Sequence, residues 1–280
     1  VYGSLVRKRL PVWAVVKRSY GYVWDHRILL AIPLLLVFVV NLVSGIYLRN
    51  LATTEAPPPQ GVVWLTGIAV IVFSMTVVVG IHRTVLLDEA RPGVGFLRLD
   101  GNLLRYIGAW LLLMVLGILF AVITLLLVMI AAMVGGLAKP QSNGPAIALA
   151  TLAIIFAVGA LFLRFMLALP AAAVGSQDGL GVSWTATRGN WLRLLAAVIL
   201  TLLPFIIIDI LLVIPTMRDA AAMLRAGVQK PIEQPLGLLV ATALIKSIDL
   251  AVLTVMLSLS YDVLVRGGGP TDLPPMAVRS

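Results

Sequence analysis

The chain contains no cysteine and only two histidines, His26 and His82, among its 280 residues. The first absence excludes disulfides, thiolate metal sites and a cysteine nucleophile. The second leaves too few imidazoles for a histidine-rich metal site, and no cofactor is expected. Charge is scarce as well. Charged residues make up 12% and hydrophobic residues 61%, with a mean hydropathy of +1.07; a soluble domain carries about 25% charge. A water-soluble globule is therefore excluded. Enzyme signatures are also missing: the sequence holds no P-loop, GxSxG elbow, HExxH, paired-Cys zinc motif or dinucleotide fingerprint. His82 with Asp88 and Glu89 is a poor metal cluster, because six residues and a span exit separate His82 from Asp88 and no further histidine is at hand. Asp25-His26 beside Arg27 reads as an interfacial cap rather than an acid–base pair. No nucleophile and base stand out on facing helices, and no enzyme is expected.

What the chain does have is long apolar runs. About 20 apolar residues cross a hydrocarbon core of about 30 Å, and six stretches qualify: 28–48, 62–81, 106–134, 146–163, 194–214 and 236–261. They are continuous rather than alternating, which argues against strands. The expected fold is all-α: a polytopic membrane protein with six transmembrane helices. Residues 1–27 form an amphipathic N-terminal segment, 28–264 the membrane domain and 265–280 a tail. The first run is longer than a signal-peptide core and no small-x-small cleavage site follows before Arg49, so it is expected to be retained. The chain begins at Val1 rather than Met, which points to a trimmed N-terminus or an alternative start codon.

Lys and Arg distribution sets orientation. Fifteen bases, among them Arg7, Lys17, Arg27, Arg83, Arg98, Arg164 and Arg188, fall on the side of both termini; Arg49, Lys139, Arg218, Arg225 and Lys230 fall opposite. Both termini are thus expected in the cytoplasm. The net charge of +9 follows mostly from this bias toward an anionic leaflet. Nucleic acid is not expected as a partner, since no compact basic module exists to bind it.

The segments before spans one, three and five look amphipathic. Before the first, Trp13, Val16, Tyr20, Val23, Trp24 and Arg27 recur at three–four spacing, with Lys17 and Arg18 on the other face. Before the third, Phe96, Leu99 and Leu103 form an apolar strip while Arg91, Arg98 and Arg105 recur at sevens. Before the fifth, Leu180, Trp184, Trp191 and Leu195 share one side. Such segments suit helices lying in the membrane interface. Gly101-Asn102-Leu103-Leu104-Arg105 matches Gly189-Asn190-Trp191-Leu192-Arg193 as Gly-Asn-x-Leu-Arg. Either a hairpin has been triplicated, or every re-entering loop needs the same charged, aromatic collar. Beyond span five, Met217, Ala221, Leu224 and Val228 lie on one face of a short helix ended by Pro231, expected to be a surface spacer or a lid.

The stretch Leu163-Arg164-Phe165-Met166-Leu167-Ala168-Leu169-Pro170, followed by Ser183-Trp184-Thr185-Ala186-Thr187-Arg188-Gly189-Asn190-Trp191-Leu192-Arg193, is the most characteristic part of the chain. It resembles a family of poorly characterised bacterial six-span inner-membrane proteins, and the membrane domain fused to some glycerophosphoryl diester phosphodiesterases. In that family an Arg-rich span end and a Pro precede a Ser-Trp-x-x-Thr-x-Gly-Asn helix. His82-Arg83-Thr84-Val85-Leu86-Leu87-Asp88-Glu89 also looks like a loop start of that group. The resemblance implies a helical domain in the bacterial inner membrane. It does not imply phosphodiesterase activity, which belongs to a separate soluble barrel.

An ionisable residue inside a span is a functional candidate, since burying it unpaired in lipid costs at least about 2.5–3.5 kcal/mol. Asp209 in span five, and Lys246 and Asp249 in span six, lie at depths that let them meet between the final two spans. Pro204 frees the carbonyl of Leu200 one turn before Asp209 and kinks the helix. The alternative is that Lys246 and Asp249 simply neutralise each other. Asn41 and Ser44 are read as interhelical hydrogen-bonding residues. Ala146, Ala150, Ala153, Ala157 and Ala160 form a small-residue stripe, read as packing within the bundle rather than dimerising. Arg83, Arg164, Arg188 and Arg193 could form a headgroup site with Trp184, Asn190 and Trp191, or merely supply positive-inside charge. The leading expectation is a non-enzymatic scaffold or accessory subunit that binds anionic headgroups, a membrane protein partner or its own copies. A small transporter or lipid-translocating protein using Asp209, Lys246 and Asp249 is the alternative. An anchor for a separately encoded soluble enzyme is the third.

Overall fold

The computed structural model describes residues 9–52, 59–89, 91, 93–97, 99–137, 144–176, 179–225 and 235–268. The helices are α1 (Val12–Asp25), α2 (Arg27–Ala52), α3 (Gln60–Leu87), α4 (Gly101–Leu137), α5 (Gly144–Leu163), α6 (Ala168–Ala173), α7 (Gly179–Ala186), α8 (Trp191–Arg225) and α9 (Leu236–Tyr261). A 3-10 turn, Gly93–Phe96, precedes α4, and a π-helical turn, Asp262–Arg266, ends α9. No strand occurs among the described residues. Six helices are long and apolar enough to cross a membrane, beginning at Arg27, Gln60, Gly101, Thr151, Trp191 and Leu236.

The spanning helices form a closed ring. α2 touches α3, α3 touches α4, α4 touches α5, α5 touches α8, α8 touches α9, and α9 returns to α2; α3 and α9 also meet. The entry segments follow the same cyclic order. The 3-10 turn packs on α2, α6 on α4, and α1 on α8. Each hairpin is thus entered through a segment seated on the first span of the hairpin before it, which is the packing a threefold plan produces. Both Gly-Asn-x-Leu-Arg copies work at these seats. Asn190 Oδ1 accepts the Leu10 N–H at 3.1 Å and Arg193 Nη1 donates to the Leu10 carbonyl at 3.4 Å. Asn102 and Arg105 lie against Gly175, whose φ of +84° and crowded Cβ position suit only glycine.

The side carrying α1, here the near side, is densely packed. α9 is buried almost continuously from Ala251 to Tyr261, and α3 from Met75 to Leu86. A Cβ on Gly80 would overlap the Phe96 ring, so glycine lets the 3-10 turn tuck into the bundle. On the far side α4, α5 and the first half of α9 turn apolar side chains outward, with Leu125, Met133, Leu152 and Leu244 at least half exposed. An apolar groove of about 590 Å³ opens there between α4 and α5, along Gly117, Ala121, Thr124, Ile155 and Gly159.

Several expectations are corrected. α1 does form, but it buries Val15, Val16, Ser19 and Tyr22, leaving Trp13 70% and Trp24 69% exposed. The tryptophans face outward because the slimmer Val/Ser side fits against α8 and α9. The strip before span three is split: Phe96 is buried, whereas Leu99 is 85% exposed. α8 runs through Pro215 to Arg225, so Met217 and Ala221 continue the fifth spanning helix. A proline kinks but need not end a helix where lipid offers the backbone no other partner. Ala153 and Ala157 are exposed, because α5 turns its Val158–Phe162 side toward α4. Asn41 donates to Val37 O of its own helix at 2.8 Å, not across helices. Arg7, Arg98, Lys139, Val228, Lys230 and Pro231, the side chains of Ala146, Ala150 and Leu224, and most of 265–280 lie outside the described residues.

Candidate functional site

Two carboxylates come together on the far side of α1. Asp209 follows the Pro204 kink of α8, and Asp249 lies midway along α9, which packs against α8. Both side chains are half-buried, and Asp209 is close enough for its charge to act on Asp249. Each keeps one buried oxygen, Oδ1, with no hydrogen-bond partner among the described residues. Lys246 does not complete the cluster. It is exposed and makes no ion pair with either aspartate. Lys246 and Asp249 stand three residues apart on α9, yet Lys246 is exposed while Asp209 and Asp249 are half-buried.

α1 closes the near end of the seam between α8 and α9. The Tyr20 hydroxyl donates to the Thr201 carbonyl at 2.7 Å, and its ring stacks on Phe205 at 6.2 Å. Thr201, Phe205 and Asp209 step by fours along α8. Burial first, and the Asp249 carboxylate second, push the Tyr20 hydroxyl above its ordinary range. Beneath α1, Arg18 Nε, Tyr22 OH and Thr201 Oγ1 are buried without partners. Burial, reinforced by Asp88, also raises Tyr22.

Most of the residues expected to bind headgroups make contacts within the near side. Arg83 pairs bidentately with Glu89, both oxygens at 2.9 Å from Nη2, and donates to the Ala173 carbonyl at 3.1 Å. Arg164 donates to Trp184 O at 3.1 Å and lies 3.4 Å from the centre of the Trp184 ring, whose other neighbour is Phe165. Its own carbonyl receives Ser183 Oγ at 2.6 Å. Trp191 meets Phe156 edge-on, and Asn190 and Arg193 hold Leu10. Arg188 is exposed. Asp100 caps α4. Its slight burial would raise the carboxyl, but N–H bonds from Leu103 and Asn102 hold it below the usual range.

One pair was not anticipated. His82 Nδ1 lies 2.7 Å from Ser258 Oγ across α3 and α9, and the His82 ring packs on Tyr106. A hydroxyl and a base therefore do face each other. Ser258 Oγ also lies 2.9 Å from the Thr254 carbonyl, and both residues are fully buried. This arrangement locks two helices together in the packed near side. Glu89 is held by Arg83 rather than turned toward His82, and no group of three metal-ligating side chains converges among the described residues. His26 Nδ1 donates to Tyr22 O at 2.8 Å and ends α1.

Compared with known families, curated proteins and solved structures, the chain matches none.

Proposed function

We propose that this six-span protein is a small transporter that holds a monovalent cation, proton included, between Asp209 and Asp249. One observation carries the reading: two half-buried carboxylates on packed helices inside the apolar region, near enough for one charge to act on the other, each with a buried oxygen that no described residue satisfies and no described base in ion-pair contact. Like charges so placed repel strongly in a low dielectric, and a bound cation relieves both the repulsion and the empty lone pairs. Even with Lys246 counted, the seam carries one negative charge in excess. The Pro204 kink adds a helix joint beside the acids, a feature translocation sites use. Reaction with dicyclohexylcarbodiimide, which enters from lipid and modifies protonated carboxyls, tests the site. Labelling at Asp209 or Asp249, lost in the corresponding Asn variant, supports it; protection by Na⁺ would identify sodium and indifference to Na⁺ a proton. No labelling at either residue counts against the reading.

A second reading is a lipid- or partner-binding accessory subunit of the bacterial inner membrane, with both termini cytoplasmic. The outward face of α1 favours it, with exposed Trp13, Lys17 and Trp24 and with Arg27 stacked 5.0 Å from the Trp24 ring. Extraction in native nanodiscs followed by mass spectrometry checks it; one enriched anionic lipid or a stoichiometric protein would favour it over transport.

A further inference from the structure

We propose that α1 is a gate over the near-side entrance to the Asp209–Asp249 seam, closed in this structure, hinged at His26 and responsive to the charge of the seam. The inference rests on the cation-site reading above and adds its regulation.

Three features define the gate. Its seat is α8 and α9, the two helices that carry the acids. Its latches lie at the two ends of α1. Leu10, just before the helix, is held through its backbone by Asn190 and Arg193. Tyr20, toward the other end, is held by the Thr201 carbonyl and the Phe205 ring. Its hinge is the single residue between α1 and α2, His26, where the backbone leaves the helix at φ −101° and ψ 19°. α2 is a separate spanning helix, so α1 opens about that point by lifting Val15, Val16 and Ser19 off their seat on α8 and α9.

The second latch ties gate to site. Thr201 stands next to Leu200, whose carbonyl loses its intrahelical donor to Pro204. Tyr20, on the hinge-side half of α1, is therefore fastened beside the carbonyl that Pro204 frees in α8, two turns from Asp209. The same Tyr20 hydroxyl lies within electrostatic reach of Asp249. A negative Asp249 favours a hydroxyl whose proton can turn toward it; a neutralised one leaves that proton on Thr201. The seat itself is incompletely satisfied, with Arg18 Nε, Tyr22 OH and Thr201 Oγ1 buried and unpartnered. Unpaired polar atoms weaken an interface, as a surface that must open requires.

The absence of cysteine makes the test clean. Thr201→Cys places one thiol beneath α1 and keeps the carbonyl that receives Tyr20. In liposomes, a membrane-impermeant thiol reagent applied from the α1 side reads whether the seat is open. The intact latch should react slowly. Asn190→Ala and, as the conservative change that keeps the Phe205 stack, Tyr20→Phe should each speed the reaction about five- to tenfold, the effect of losing one buried hydrogen bond. Asp249→Asn, which touches no latch, should also shift the rate. Equal rates in latched and unlatched proteins overturn the gate. Faster reaction in the latch variants with no response to Asp249→Asn also overturns it, leaving a static cover. Neither result bears on carbodiimide labelling of the acids, so gate and site fail separately.

Discussion

The near and far halves of the bundle differ in what holds them. On the near side, Ala251–Tyr261 of α9 and Met75–Leu86 of α3 bury nearly every side chain, and Arg83, Arg164, Asn190 and Arg193 stitch the connections with charged or buried hydrogen bonds. On the far side, helices that are just as apolar show Leu, Ile and Met outward. Lipid is as apolar as leucine, so nothing drives these far-side surfaces together. The contrast shows that packing here follows small and polar residues rather than hydrophobicity. It also places the unpaired acids where the bundle loosens.

The contrast can be broken most sharply in α9. Met256→Ala, fully buried, should cost about 2–5 kcal/mol, whereas Leu244→Ala on the exposed half should change stability by about 0.5 kcal/mol or less. Reversible unfolding in mixed micelles would read both, and equal costs would erase the distinction. Arg83→Ala should come next at about 2 kcal/mol, because it removes the bidentate pair with Glu89 and the charged donor to the Ala173 carbonyl. Asn190→Ala should cost about 1–2 kcal/mol by leaving the Leu10 N–H buried and unmatched, with proteolysis near residue 10 as its readout. The smallest effect belongs to the exposed cap. Asp100→Ala should cost about 0.5–1 kcal/mol. Since the folded carboxyl is depressed, that contribution is full above the ordinary carboxylate range and fades as pH falls through the lower folded value. A pH series of unfolding midpoints would show the variant and parent converging in acid.

The sequence made the spans legible because apolar length alone determines them. It did not make faces legible, since a run that is apolar all round does not say which side meets lipid. The alanines of α5 look like a packing stripe, yet Ala153 and Ala157 face out. The stripe that does pack is on α9, where Ala243, Ser247, Ala251, Thr254 and Ser258 step by four, four, three and four and are all buried. Its small hydroxyls were the available signal. They bond back to their own helix, as Ser247 does to Ala243 O and Thr254 to Leu250 O, so they line a tight interface at no polar cost. Trp13 and Trp24, read from the sequence as interfacial aromatics, do stand outward on α1. At the candidate site, Asp209 and Asp249 were legible as charges out of place. The outward direction of Lys246 and the His82–Ser258 bond were not, since both depend on how helices far apart in sequence rotate against each other.

The most direct test is mass spectrometry of the intact protein in liposomes after dicyclohexylcarbodiimide treatment near neutral pH, with and without Na⁺. The account predicts a single adduct on Asp209 or Asp249, absent from the matching Asn variant and either unaffected or suppressed by Na⁺ according to the cation held. Both aspartates unmodified under all conditions, while carboxyls elsewhere in the chain react, would contradict it.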